Sequence, residues 1–146
     1  MDCKILSPIA SDIDMALLKI DGEGYPAASL RRANEGIDST ERIMLAGYSL
    51  GSQLTHGDDL KLRPSYKFGR VSSIQNPPEF AVERYYSDIT GLHGDSGGPI
   101  FSMEDGRLIG VFVGSVTPGK GSLDELNFFH PIHAFWNRFI EFIEGE

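Results

Sequence analysis

From residue 41 onward the chain is a series of short apolar runs cut by turn residues, and nothing else in it constrains the fold as strongly. The runs are ERIMLAGY (41–48), SYKFGRVSSIQ (65–75), EFAVERYYSD (79–88), GPIFSM (98–103), RLIGVFVGSV (107–116) and ELNFFHPI (125–132). They are rich in Ile, Val, Phe and Tyr, which suit a pleated, half-buried surface. HGDD, NPP, TGLHGDSGG, EDG and TPGKGS stand between them, and such Gly, Pro, Asn and Asp clusters mark turns. In MEDGR, Gly106 is free to take the positive φ that a tight hairpin needs. Six short strands with no helices between them predict an all-β fold, a closed antiparallel barrel without exposed edges.

The ends read differently. In HAFWNRFIEFIEGE (133–146), Phe135, Trp136, Phe139, Ile140 and Ile143 recur at helical spacing, with Asn137, Arg138, Glu141 and Glu144 opposite. This predicts one amphipathic helix packed on the barrel. Its polar face is not basic, so a lid on the core is expected rather than a membrane anchor. Near the N-terminus DMALLKI (14–20) reads as one strand, followed by a Gly- and Pro-containing connector, GEGYPAASLRRANEGIDST.

Composition narrows the function. The chain has 146 residues, 40% hydrophobic and 23% charged, which suits one soluble domain with a real core. Thirteen Lys and Arg against 21 Asp and Glu give a net charge of −8 with no basic run. A nucleic-acid groove needs clustered cations to displace counterions, so none is expected. No apolar run approaches the roughly 18 residues of a membrane helix. MDCKILSPIASDID lacks the pattern of a signal peptide. Cys3, the one cysteine, has no internal disulfide partner. Four scattered histidines and no CxxC or HExxH leave no metal or cofactor expected.

One stretch asks for chemistry. HGDSGGPI (93–100) puts a serine among glycines and runs straight into an apolar strand. A serine hydroxyl is a poor nucleophile unless a base takes its proton and donors hold the oxyanion it creates. Glycines let the backbone turn so tightly that successive N–H groups aim at one spot. Gly94 and Ser96 are placed to supply two such donors, with Ser96 Oγ attacking. The plainer reading is a Gly-rich turn with a solvated serine.

GDSGGPI resembles the nucleophile segment of the chymotrypsin/trypsin-like serine peptidases. SDIDMALLKI resembles that family's strand with the triad aspartate, here Asp14. LAGYSLGS with FGRVSSI resembles the first hairpin of its second barrel, RLIGVFVGSV the strand beside the substrate pocket, and FFHPIHAFWNRFIEFIE the last strand and closing helix. The resemblance covers most of residues 12–146 in the family's order. It implies a remnant of a first barrel with a connector over 1–38, a second six-stranded barrel over 39–132 and a helix over 133–146. It implies Ser96 as nucleophile, the N–H groups of Gly94 and Ser96 as oxyanion hole, and Asp14 as the group orienting the base. Thr90, His93, Val113, Gly114 and Ser115 would contact a peptide or protein substrate. Thr90 stands where trypsin-type enzymes carry a pocket-floor aspartate, so a small or apolar substrate side chain is expected. In zymogen-activated members the aspartate matching Asp95 pairs with a newly cut N-terminal amine; here something else must satisfy it.

The departure is the base. The family's histidine precedes the aspartate, and none of the 13 residues before Asp14 is a histidine. His56 lies in a polar loop, His93 borders the pocket, and His130 and His133 flank Pro131 at the strand-to-helix junction. The expectation is an N-terminally incomplete peptidase chain, inactive or nearly so alone. A non-catalytic relative is the alternative: a peptidase-like binding, regulatory or immunity-type protein, with another chain covering the exposed first-barrel remnant. A third reading takes GYSLG (47–51) as an α/β-hydrolase elbow with Ser49 as nucleophile.

Overall fold

The structure is a computed structural model that describes residues 3–6, 14–50, 63–76, 82–116 and 126–144, with 33, 137, 138 and 141–144 as backbone only. Its strands are β1 (Cys3–Ile5), β2 (Leu18–Ile20), β3 (Arg42–Gly47), β4 (Ser65–Gln75), β5 (Arg84–Ser87), β6 (Pro99–Ser102), β7 (Leu108–Val116) and β8 (Leu126–Pro131), followed by helix α1 (Ile132–Glu144). Strands β3 to β8 close a barrel in the order β3-β4-β5-β8-β7-β6. All six pairings are antiparallel.

Each apolar run thus supplies one stave. Ile43 and Leu45 from β3, Val71 from β4, Tyr85 from β5, Ile100 from β6, Ile109 and Phe112 from β7, and Phe129 from β8 meet inside, with Ile37 and Ile89. Residues two apart share a face, so alternate positions of each strand fill the interior. Gly106 takes φ 73° in the turn that joins β6 to β7. The run read over 79–88 is a strand only over Arg84–Ser87, and residues 79–81 lie outside those described.

Helix α1 closes one side. Phe135 and Phe139 stack 6.0 Å apart and pack with Val82, Met15 and Leu17. Trp136 departs from the expected apolar stripe: it is 42% exposed and borders a niche of about 210 Å3 with Leu30, Arg32 and Ile132. Helical geometry explains this, because adjacent residues lie 100° apart and only one of Phe135 and Trp136 can face the core.

The N-terminal part is a two-stranded ribbon. Only Leu18–Ile20 of the run over 14–20 is strand, paired antiparallel with Cys3–Ile5. All six ribbon residues are exposed. The connector then crosses to the barrel, where the Arg31 N–H donates to the Leu108 carbonyl (3.0 Å) and the Leu108 N–H to that of Ser29 (2.9 Å).

Candidate active site

Three segments meet at one end of the barrel: the turn after β3 (48–50), the loop between β5 and β6 (88–98) and the middle of β7. Hydrogen bonding in the 92–98 turn is one-sided. The Leu92 carbonyl accepts from Asp95 N–H (3.0 Å), His93 from Leu50 (2.7 Å), Gly94 from Tyr48 (3.3 Å) and Asp95 from Gly98 (2.9 Å). Gly97 and Gly98 are stitched to Phe112 at 2.8 and 2.9 Å. In a trans peptide the carbonyl and the N–H point in opposite directions. The carbonyls of His93 and Asp95 are anchored, so the N–H groups of Gly94 and Ser96 face the other way. Neither N–H donates to an acceptor among the described residues.

Gly94 has to be glycine. Its φ is 95°, and a Cβ there would run into the Tyr48 carbonyl oxygen. The Ser96 side chain is exposed, and a Cβ placed on Gly114 would sit 3.9 Å from Ser96 Oγ. Gly94, Ser96 and Gly114 line one cavity of about 450 Å3, together with Leu50, Leu92 and Phe112. His93, Gly114 and Ser115 line it too, while Thr90 and Val113 do not. Thr90 is exposed and its neighbour Gly91 takes the place on the wall. Val113 is the extra residue where the β7–β8 register shifts between Phe112 and Gly114, so both of its neighbours face the cavity instead. Asp88 faces elsewhere: its Oδ1 accepts the Arg70 N–H at 2.6 Å.

Beneath the turn lies Asp95, fully buried. Its carboxylate forms an ion pair with Lys67, accepts from Ser49 Oγ at 2.5 Å and from the Leu92 N–H at 2.7 Å. Burial pushes this carboxyl up, but the bonds from Lys67, Ser49 and Leu92 outweigh it and hold it below the ordinary 3.8. Lys67, Leu50 and Phe112 went unread in the sequence. The one signal for Lys67 was that Asp95 needed a cation.

Ser96 and Asp14, the two triad members that the resemblance implies, are not joined by any bond among the described residues. Nor, among the described residues, does a hydrogen bond or ion pair join Ser96 to a histidine. Asp14 is exposed, and its charge acts on His130. His130 is buried, edge-on to Phe128 and Phe135. Burial, chiefly, lowers its pKa below 6.5. His133 lies 3.7 Å from Glu83 Oε2. His93 is exposed at the cavity rim, and His56 falls outside the described residues.

Residues 4–111 match the trypsin-like peptidase domain. The chain belongs to the trypsin-like peptidase family. Among solved structures it is similar to the HtrA-type protease AlgW with decapeptide (TM-score 0.74, 22% identity), covering 97% of this chain and 40% of that one. It is also similar to AlgW with tripeptide (TM-score 0.68, 20% identity), covering 94% of this chain and 43% of that one. At this identity the likeness speaks for the fold, and the chain spans about two-fifths of the length of those structures. No curated protein matches the sequence.

The fold also corrects the elbow reading. Gly47 ends a strand paired antiparallel on both sides, whereas an α/β-hydrolase elbow needs a parallel sheet. Ser49 Oγ is engaged with Asp95 and lies 2.8 Å from Ser65 Oγ.

A second cavity of the barrel, about 750 Å3, lies away from this site. It opens at the far end of β6 and is lined by ion pairs. Arg31 bridges Glu41 (2.7 Å) and Asp105 (2.8 Å) there.

Proposed function

We propose that this trypsin-like peptidase chain attacks peptide carbonyls with Ser96, the N–H groups of Gly94 and Ser96 receiving the oxyanion. One observation carries the reading: an exposed hydroxyl beside two N–H groups without acceptors among the described residues, on residues that line one cavity. Preorganised donors stabilise charge as it develops and cost no reorganisation at that moment. Asp14 is assigned to orienting and charging a histidine base. No histidine is bonded to Ser96 among the described residues, so this polypeptide alone reacts slowly, with only the oxyanion hole and binding to accelerate it. Those leave about 10³–10⁴-fold over water when a triad member is absent.

AlgW was solved with a decapeptide and with a tripeptide; by that likeness the ligand here is an extended peptide. Among the described residues no carboxylate lines the cavity, which supports a small or apolar side chain in it over a basic one. That no histidine among the described residues is bonded to Ser96 also favours a second reading, a binding protein that holds peptides without cutting them, its N-terminal ribbon covered by another chain.

A fluorophosphonate probe separates the readings. The expected result is one slow adduct, mapped by mass spectrometry to Ser96 and absent from Ser96→Ala. An adduct on Ser49 overturns the assignment. No adduct at all, with peptide binding retained, leaves the binding protein.

A further inference from the structure

Asp95 is a carboxylate with no exposed surface. Such a group stays charged only with a counter-ion and hydrogen bonds around it. Here the counter-ion comes from the barrel wall. Lys67 is the third residue of β4, opposite Leu45 of β3, with its side chain 21% exposed. Its orientation runs against the hydrophobic pattern of its own strand. In SYKFGRV, Tyr66 and Phe68 face out, 56% and 63% exposed, while the lysine between them turns in. A one-residue slip would bury both rings and expel the lysine. The observed register forgoes that burial and delivers an ammonium group to Asp95.

Ser49, the serine of GYSLG, completes the clasp. It donates to Asp95 Oδ1 and is itself held by Ser65, whose hydroxyl reaches the Gly47 carbonyl at 3.2 Å. The turn after β3 and the start of β4 thus converge on one carboxylate, in the same turn as the Gly94 and Ser96 N–H groups.

We propose that Lys67, seconded by Ser49, is the positioning residue of the Ser96 site, holding Asp95 so that the Gly94 and Ser96 N–H groups stay aimed at the cavity. The cation is part of the barrel, so the donors assemble as the chain folds. No cleavage that frees a terminal amine is required. Without the ammonium, the carboxylate must take up a proton or swing to water. Either event releases the Leu92 N–H and lets the 93–94 and 95–96 peptides rotate.

The chemical part of this inference rests on the reactive-serine reading, so the test uses two independent readouts. Hydrogen–deuterium exchange of the 92–98 segment is measured in the intact chain and in Lys67→Met, with fluorophosphonate labelling alongside. The expected result is exchange across 92–98 about tenfold faster or more, as for loss of a charge-assisted hydrogen bond, with β8 unchanged. Labelling of Ser96 falls by about the same factor, and Lys67→Arg recovers part of both. Exogenous ethylammonium restores labelling in Lys67→Ala. If Lys67→Met does not fold, Ser49→Ala supplies the milder case, about threefold on both readouts. Unchanged exchange across 92–98, or a uniform rise that includes β8, overturns the inference. Faster local exchange without any Ser96 adduct in the parent chain leaves the positioning role standing and removes the reactive serine.

Discussion

The two ends of the barrel carry the same local device. At the cavity end, Asp95 takes Lys67, the Ser49 hydroxyl and the N–H of Leu92, three residues back. At the far end, Glu41 takes Arg31, the Ser102 hydroxyl and the N–H of Asp38, also three residues back. In both, the acidic residue's own N–H returns to that third residue's carbonyl, at 3.0 and 3.2 Å. In both, the residue before the acid has positive φ: Gly94 at 95° and Thr40 at 74°. The difference is where the next donors go. The Thr40 N–H is taken by the Val71 carbonyl at 2.7 Å, and the Glu41 carbonyl takes the Val71 N–H at 2.9 Å. The Gly94 N–H has no such taker among the described residues. One device, closed on the sheet, is architecture; left open beside a hydroxyl, it is the receptor for negative charge that we propose.

The comparison breaks hardest at its cations. Arg31→Met leaves the buried Glu41 without its cation, while Asp105 keeps Arg107. Removing one partner of a buried pair costs about 3–5 kcal/mol. Urea unfolding will show that loss, while Ser96 labelling of the folded fraction stays unchanged. Arg42→Ala, removing a pair whose side chains are 56% and 51% exposed, leaves the midpoint within error, as exposed pairs do.

Reciprocal substitutions sharpen it next. Gly94→Ala forces a methyl toward the Tyr48 carbonyl and displaces a donor; labelling of Ser96 drops about 10²–10³-fold, the loss typical of one oxyanion-hole donor. Thr40→Gly relieves a β-branched residue of a left-handed conformation. It raises the urea midpoint by an amount equivalent to about 1 kcal/mol and leaves labelling alone.

Acid gives the smallest and most graded effect. Burial pushes the Asp105 carboxyl up, but the Arg107 N–H and the Arg31 and Arg107 side chains bring it to about 2. Asp95 is lowered likewise. A carboxyl depressed in the folded state adds stability above its unfolded pKa and loses it as pH falls. His130, depressed by burial, is favoured neutral, so its share is complete above 6.5 and declines below it. The urea midpoint will fall in two steps on acidification, one starting near pH 6.5 from His130 and one below about pH 4 from the carboxylates. A flat profile between pH 7 and 5 would remove the His130 assignment.

The staves were legible because turn chemistry and strand composition agree; β4 begins and ends where the sequence places it, at 65 and 75, whereas β5 is only Arg84–Ser87 of the run over 79–88. The turn at 93–98 was legible because only glycines permit it. Lys67 was not, because alternation alone turns Tyr66 and Phe68 inward, and the register is fixed instead by pairing with β3. Val113 stands off the cavity wall for a related reason. Register irregularities, like the one at Phe112/Gly114, leave no compositional mark. The ribbon was read as a single strand because its partner, Cys3–Ile5, is only three residues long.

Trp136 is the chain's single tryptophan, and it sits on the helix, half-open to solvent above Leu30 and Arg32. Its emission is therefore a private reporter of that helix against the connector, blind to the staves. Heating followed at once by indole fluorescence and by far-ultraviolet dichroism will tell whether lid and cylinder melt as one body or whether the lid lifts first.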